Sequence, residues 1–305
     1  MNVTPDAWER LPSRRVVTNG VGLHVVDQGE GPLVVLCHGF PELGFSWRHQ
    51  AVALAEAGYR TLTPDLRGYG RSDRPDDVAA YAIDALADDL CGLLDDVGAK
   101  DAVFVGHDWG ASLVWQFATL RPERVRAVAG LSVPPSRRAP VRPMAILRRR
   151  LGDEFYMCWF QEPGVADAVL GRDVRRTLLS DAIDASLWGE GEPPEPRPWQ
   201  TEDELAYFLR SFRRTGFTGG LNYYRNIDRN WELTEGVAGR TIACPSLFVT
   251  GSADPVTAFM SADDLSRVLD DQRGHVVIEG AGHWIQQERP EEVTALLLDF
   301  LAGLP

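Results

Sequence analysis

Asp108 stands at the centre of Val105-Gly106-His107-Asp108-Trp109-Gly110-Ala111. An apolar run, Ala102-Val103-Phe104-Val105, precedes it, and a helical pattern, Ser112 to Ala118, follows. Strand, tight turn and helix make the geometry of a nucleophile elbow, usually written Gly-x-Ser-x-Gly. Here the nucleophile position holds a carboxylate. Serine must lose a proton before it attacks, and it suits acyl carbons. Aspartate is already ionised at neutral pH, with a reference pKa of about 3.9, and it can attack a saturated carbon to form an alkyl ester. That ester can be hydrolysed through its own carbonyl, whereas the ether a serine would form cannot. Asp108 therefore points to an electrophilic saturated carbon, as in an epoxide or an alkyl halide. An Asp that only caps the following helix would give the same local pattern.

Three further segments could serve the same chemistry. In Cys37-His38-Gly39-Phe40-Pro41, Gly39 lets the backbone turn sharply, so the N–H of Phe40 can join that of Trp109 as an oxyanion hole. In Val249 to Pro255, Asp254 could orient a histidine, although Asp before Pro is also common in plain turns. In Gly280-Ala281-Gly282-His283-Trp284, His283 sits in a glycine-rich loop after a strand. His24 and His275 lie on strand patterns and His49 on a helical one. His107 is one residue out of the nucleophile's direction, and His38 belongs to the oxyanion turn. The chain order nucleophile, acid, histidine is the order that a strand–elbow–helix architecture requires.

The elements that must position these groups alternate. Val16–Val17 and Leu23–Val26 flank Asn19-Gly20 as a hairpin. Leu33–Cys37, Tyr59–Thr63, Ala102–Val105 and Val125–Val133 read as strands, with helices at Trp47–Ala57 and Tyr81–Val97. The alternation stops where Pro134, Pro135, Pro140 and Pro143 punctuate the chain. It returns at Ser246–Thr250 and Val276–Ile278, with a helix expected after each. The pattern predicts an α/β fold, a mostly parallel central sheet with helices on both faces. Residues 1–133 and 241–305 form its core. Residues 134–240, helix-like and rich in Arg, Trp and Tyr, form an inserted α-helical cap that includes a turn-prone stretch at Gly189 to Pro194.

Composition narrows the partners. The 305 residues carry a net charge of −13, with no basic excess to neutralise nucleic-acid phosphates. Thirty of the 31 basic residues are Arg, Lys100 being the exception, which reads as base-composition bias. Cys37, Cys91, Cys158 and Cys244 lack paired spacing and read as free thiols of a reducing compartment. No metal-binding spacing, signal-length apolar run or membrane span is evident. The expectation is a cytoplasmic, membrane-free monomer or homodimer that uses neither metal nor cofactor.

Taken together these residues resemble the α/β-hydrolase fold and, within it, the epoxide hydrolases. The likeness covers nearly the whole chain. It runs through His38–Pro41, Asp65 to Ser72, Gly106–Ala111, Asp254 and Gly282-His283-Trp284. In the cap it includes Phe155-Tyr156, Trp159 to Ala166 and Gly220 to Asn226. The resemblance implies that Tyr156 and Tyr224 are the two ring-opening tyrosines. Tyr223 is offset by one position, and successive helical residues point about 100° apart, so the two neighbours should not both face the site. It further implies hydrolysis of a small-molecule epoxide by water to a vicinal diol, with Asp108 as nucleophile and His283–Asp254 activating water. Phe40 and Trp109 would form the oxyanion hole, and His38, Pro41, Trp159 and Trp284 would line the substrate pocket. The tyrosines have a physical purpose: an opening epoxide releases an alkoxide, which needs a proton donor, and a phenol can serve in a dry pocket. Without the resemblance, Tyr156 and Tyr224 read first as packing aromatics of a helical cap. Two other readings stay open. A haloalkane or haloacid dehalogenase would share the triad, though Phe40 offers no side-chain N–H to a halide and no Arg adjoins Asp108 to pair a haloacid. A non-catalytic ligand-binding protein could use the same fold.

Overall fold

The computed structural model describes residues 3–180 and 194–305, so most of the turn-prone stretch, Gly189 to Pro193, lies outside the described residues. A short helix, α1 (Pro5–Glu9), leads into the hairpin β1 (Ser13–Thr18) and β2 (Val21–Gln28). Asn19 and Gly20 both take positive φ, 46° and 74°, as a two-residue hairpin turn requires.

From there the chain alternates. β3 (Leu33–Cys37) leads to α2 (Arg48–Glu56), β4 (Arg60–Pro64), α3 (Ile83–Asp96), β5 (Ala102–His107), α4 (Trp109–Leu120) and β6 (Val125–Leu131). Among the described residues, seven α-helices come next: α5 (Pro143–Leu151), α6 (Tyr156–Trp159), α7 (Val165–Arg172), α8 (Val174–Leu179), α9 (Glu202–Thr215), α10 (Thr218–Arg225) and α11 (Ile227–Leu233). The chain closes with β7 (Ile242–Gly251), β8 (Leu269–Ile278), α12 (Ile285–Glu288) and α13 (Pro290–Ala302). Among the described residues no helix is long and apolar enough to cross a membrane.

The eight strands form one sheet in the order β1-β2-β4-β3-β5-β6-β7-β8. β1 and β2 pair antiparallel, as do β2 and β4, and all later neighbours are parallel. The central strand β5 is buried at every position, as a parallel strand covered on both faces must be. From β3 the chain steps outward to β4, then returns to the other side of β3 as β5. The reversal opens a crevice at the C-terminal ends of β3 and β5, where α/β sheets bind ligands.

Two expectations need correction. β7 and β8 begin at Ile242 and Leu269, earlier than the apolar runs at Ser246 and Val276 suggest. The early part of β8, Asp270-Asp271-Gln272-Arg273, is polar and largely exposed, as an edge strand allows. The helix expected after β7 is absent: only two short 3-10 turns, Pro255–Ala258 and Leu265–Arg267, lie between β7 and β8. Asp254 caps the first of those turns, and its side chain accepts from the N–H of Val256 at 2.9 Å.

Candidate active site

Asp108 follows the last residue of β5 and precedes α4. Its backbone is at φ 52°, ψ −116°, a costly conformation for a residue with a Cβ. The turn is tightly packed on both sides: a Cβ on Gly106 would come within 2.2 Å of the Gly110 carbonyl oxygen. A Cβ on Gly110 would come within 2.1 Å of the Cys37 carbonyl oxygen, so only glycine lets α4 approach β3 this closely. The Asp108 side chain makes no capping bond to α4, which removes the capping alternative. It turns instead toward the crevice, where Oδ1 accepts from the N–H of Phe40 at 2.8 Å. Trp109 opens α4 at its first position, where a backbone N–H has no helical acceptor. The turn that presents Phe40 is itself tied down, with Glu42 Oε2 accepting from the N–H of Gly39 at 2.8 Å.

His283 reaches the crevice from the loop after β8. Its Nε2 lies 3.6 Å from Asp108 Oδ2, and its Nδ1 lies 3.1 and 3.0 Å from the two oxygens of Asp254. The side chains of His283 and Asp108 keep 12% and 13% of their exposure, enough for water to reach both, whereas that of Asp254 is fully buried. Burial by itself would lower the His283 pKa. Hydrogen bonds and charge from Asp108 and Asp254 overcome that and raise it to about 10. Burial likewise works to raise the Asp254 pKa, but its bond to His283 holds it below the ordinary carboxylate value.

Tyr156 and Tyr224 approach from α6 and α10. Their rings stand 5.8 Å apart at 77°. The Tyr224 ring packs edge-on against Trp109 at 4.8 Å and Phe40 at 5.6 Å, the two residues flanking the Asp108 carboxylate. Burial, reinforced by the negative charge of Asp108, pushes both phenols well above their ordinary pKa, so both remain protonated donors. Tyr223 does something else: its hydroxyl donates to the carbonyl of Arg67 at 2.9 Å.

The other pocket candidates separate. Trp284 packs against His283 at 4.9 Å, and Trp159 against Phe160 at 5.4 Å. Pro41 shares a small cleft with Glu42, Trp284 and Gln287. His38 is a correction. It is fully buried, its Nδ1 donates to the Gly39 carbonyl at 2.9 Å, and its Nε2 accepts from the N–H of Leu66 at 3.0 Å. Both ring nitrogens are spent on backbone, so the ring braces two loops and has nothing left for a substrate.

The sequence offered no sign of a second set of buried polar groups. Glu42 lies 1% exposed, and its Oε2 accepts from His107 Nδ1 at 2.6 Å. His107 Nε2 then donates to the carbonyl of His283 at 2.8 Å, and Ser132 Oγ donates to the same oxygen at 2.7 Å. Burial opposes ionisation of Glu42, but His107 and the Gly39 N–H hold its pKa down at about 2. The backbone of His283 is thus pinned independently of its ring. Among the described residues, no cluster of His, Cys, Asp and Glu is arranged to hold a metal ion.

Residues 32–156 match the family model of the alpha/beta hydrolase fold. Epoxide hydrolase A of Mycobacterium tuberculosis is 51% identical over 316 residues, covering 96% of this chain and 98% of that protein. The chain belongs to the epoxide hydrolase family. The crystal structure of Epoxide Hydrolase A from Mycobacterium thermoresistibile superposes with a TM-score of 0.91 at 52% identity, covering 96% of this chain and 99% of that one. Epoxide hydrolase 2 of Siraitia grosvenorii is 41% identical over 96% of this chain and 99% of its own length. Members of the family from a bacterium and from a plant thus align with this chain along nearly its whole length.

Proposed function

We propose that this enzyme hydrolyses small-molecule epoxides to vicinal diols in two steps, within a site closed by residues 134–240 acting as a cap. The observation that carries the reading is the pair of protonated phenols, Tyr156 and Tyr224, set beside a carboxylate that is already hydrogen-bonded in an oxyanion position. A halide leaves without a proton and has no use for two phenols. An alkoxide does need them.

In the first step Asp108 Oδ2 attacks an epoxide carbon. The carbon–oxygen bond of the ring breaks, and its electron pair stays on oxygen, which takes a proton from a phenol. Oδ1, already bound by the Phe40 N–H, becomes the ester carbonyl. Asp108 has now lost its charge, and with it one of the two partners that hold His283 protonated. His283 gives up its proton, which replaces the one the phenol donated.

In the second step neutral His283 takes a proton from water as the water attacks the ester carbonyl carbon. The oxyanion forms on Oδ1, facing the N–H groups of Phe40 and Trp109. Collapse of the tetrahedral intermediate expels the diol oxygen, which takes the water's second proton from the hydroxyl on that carbon; Asp108 is left as the carboxylate and His283 as the imidazolium. Asp254, buried and bound through both oxygens, keeps the ring oriented.

A single turnover in heavy-oxygen water tests the reading. The ester mechanism puts the label into the Asp108-containing peptide and leaves the first diol unlabelled. Label in the first diol would mean that water attacks the epoxide directly and that Asp108 is not the nucleophile.

A further inference from the structure

One chain of buried polar contacts runs from helix α9 to the backbone of His283. It begins at Glu204, in the first turn of α9. Glu204 Oε2 accepts from the N–H of Thr201 at 2.8 Å, and Thr201 Oγ1 accepts from the N–H of Glu204 at 3.3 Å, a capping box. The other oxygen, Oε1, accepts from Nε and Nη2 of Arg48 on α2, at 3.1 and 2.7 Å. Arg48 is 1% exposed, and its guanidinium also lies over the Phe45 ring at 4.6 Å. Its remaining arm, Nη1, donates to Gln287 Oε1 at 3.0 Å. That bond fixes the amide of Gln287, so Nε2 must point the other way, to Glu42 Oε1 at 3.2 Å. Glu42 holds His107, and His107 holds the carbonyl of His283.

Stability does not account for the Arg48–Glu204 pair. Removing two charges from water is costly, and apolar side chains of similar volume commonly hold such a contact as well. Helix α9 is also already seated by aromatic packing, with Tyr207 and Phe208 at 4.4 and 5.6 Å from Phe45. Its capping box needs a hydrogen-bonding side chain at position 204 and not a charge, since Gln serves there as well as Glu. What the pair adds is direction. An anion on α9 aims a guanidinium, and the guanidinium aims the amide next to Glu42.

We propose that Arg48 is a positioning residue that ties the seating of α9 to the placement of His283, so that the ester on Asp108 is hydrolysed at full rate only with α9 seated. The inference rests on the two-step reading above. It places the effect on ester hydrolysis, the step in which His283 acts as base and the Phe40 N–H, on the turn that Glu42 also holds, meets the oxyanion.

Two variants test it from opposite ends of the chain. Glu204→Gln keeps the capping box and removes the charge that aims Arg48. Gln287→Met cuts the link between Arg48 and Glu42 without touching α9. Stopped-flow tryptophan fluorescence would separate ester formation from ester hydrolysis, and intact mass would give the fraction of alkyl-enzyme at steady state. Both variants should form the ester within about twofold of the parent rate and hydrolyse it about tenfold more slowly, so that ester accumulates. Equal slowing of both steps would reduce the network to a structural role and overturn the proposal. Unaltered hydrolysis in Gln287→Met would overturn it whatever Glu204→Gln does, and Gln287→Met decides alone if Glu204→Gln fails to fold. A parent enzyme that forms no ester would instead refute the two-step reading.

Discussion

Replacing Asp108 by Asn should lower the pKa of His283 by about three pH units. The imidazole lies between two carboxylates, with Asp108 Oδ2 3.6 Å from Nε2 and both oxygens of Asp254 within 3.1 Å of Nδ1. Two unit charges at the Asp108 distance attract by roughly 4–5 kcal/mol at an effective dielectric of about 20. At 1.36 kcal/mol per unit, that is about three. Asn matches the size of Asp and removes the charge, as the alkyl ester does. Burial and Asp254 then act on the ring alone, and the pKa should fall from about 10 in the parent toward neutrality. The sign carries the mechanism. The parent imidazolium could not accept a proton from water, and loss of the Asp108 charge makes it a base when the ester is ready for hydrolysis. The same coupling has a stability consequence. A raised folded-state pKa contributes stability that is complete below the unfolded value of about 6.5 and is lost as pH rises through about 10, and Asp108→Asn should lose most of that contribution. The assay is an NMR titration of the His283 ring nitrogens in parent and variant, with intact mass establishing that the amide persists. A variant pKa within one unit of the parent's would refute the charge-coupling argument and leave His283 without a route to the neutral base.

The tyrosine assignments and the oxyanion turn can be tested in the same way. Tyr156→Phe combined with Tyr224→Phe should slow ester formation by about 10²–10⁴-fold, read as the loss of the fluorescence burst. Tyr223→Phe should leave that burst within about twofold and cost about 1–3 kcal/mol of stability in a denaturant titration, because the buried Arg67 carbonyl loses its donor. Gly39→Ala should lower kcat by about 10²–10³-fold: its Cβ would fall 2.4 Å from Asp108 Cβ and Oδ1, displacing the turn that offers the Phe40 N–H. Near-parental turnover in a correctly folded Gly39→Ala protein would rule out Phe40 as the donor.

The residues proposed to do the chemistry could be read from the sequence because each sits in a local pattern. Asp108 lies between small residues at a strand-to-helix turn, and Asp254 and His283 each follow an apolar strand. Their order along the chain follows from a parallel sheet that brings strand C-termini to one edge. Tyr156 and Tyr224 were visible only through family resemblance, since an aromatic on a short helix looks the same whether it packs or donates. Helical geometry did separate Tyr224 from Tyr223, because neighbours on a helix cannot share a direction. After β7 the chain makes two short 3-10 turns in place of the expected helix, because the cap at Asp254 with Pro255 after it can start either kind of turn and the alternation alone does not decide between them.

Only the tertiary structure supplied the network behind the base. Glu42 and His107 are 65 residues apart, His107 and His283 are 176 apart, and Arg48 and Glu204 are 156 apart. Pairings at such separations leave no periodicity in the chain, and a buried Glu and an exposed one are spelled alike. The same holds for His38, which by position belongs to the pocket but in the fold spends both ring nitrogens on backbone. By itself, then, the sequence determined which groups could react, because reactivity follows from residue type and local turn geometry. The fold decided which neighbours set their charge and hold them still, because burial and long-range contact exist only once the sheet and its helices have closed.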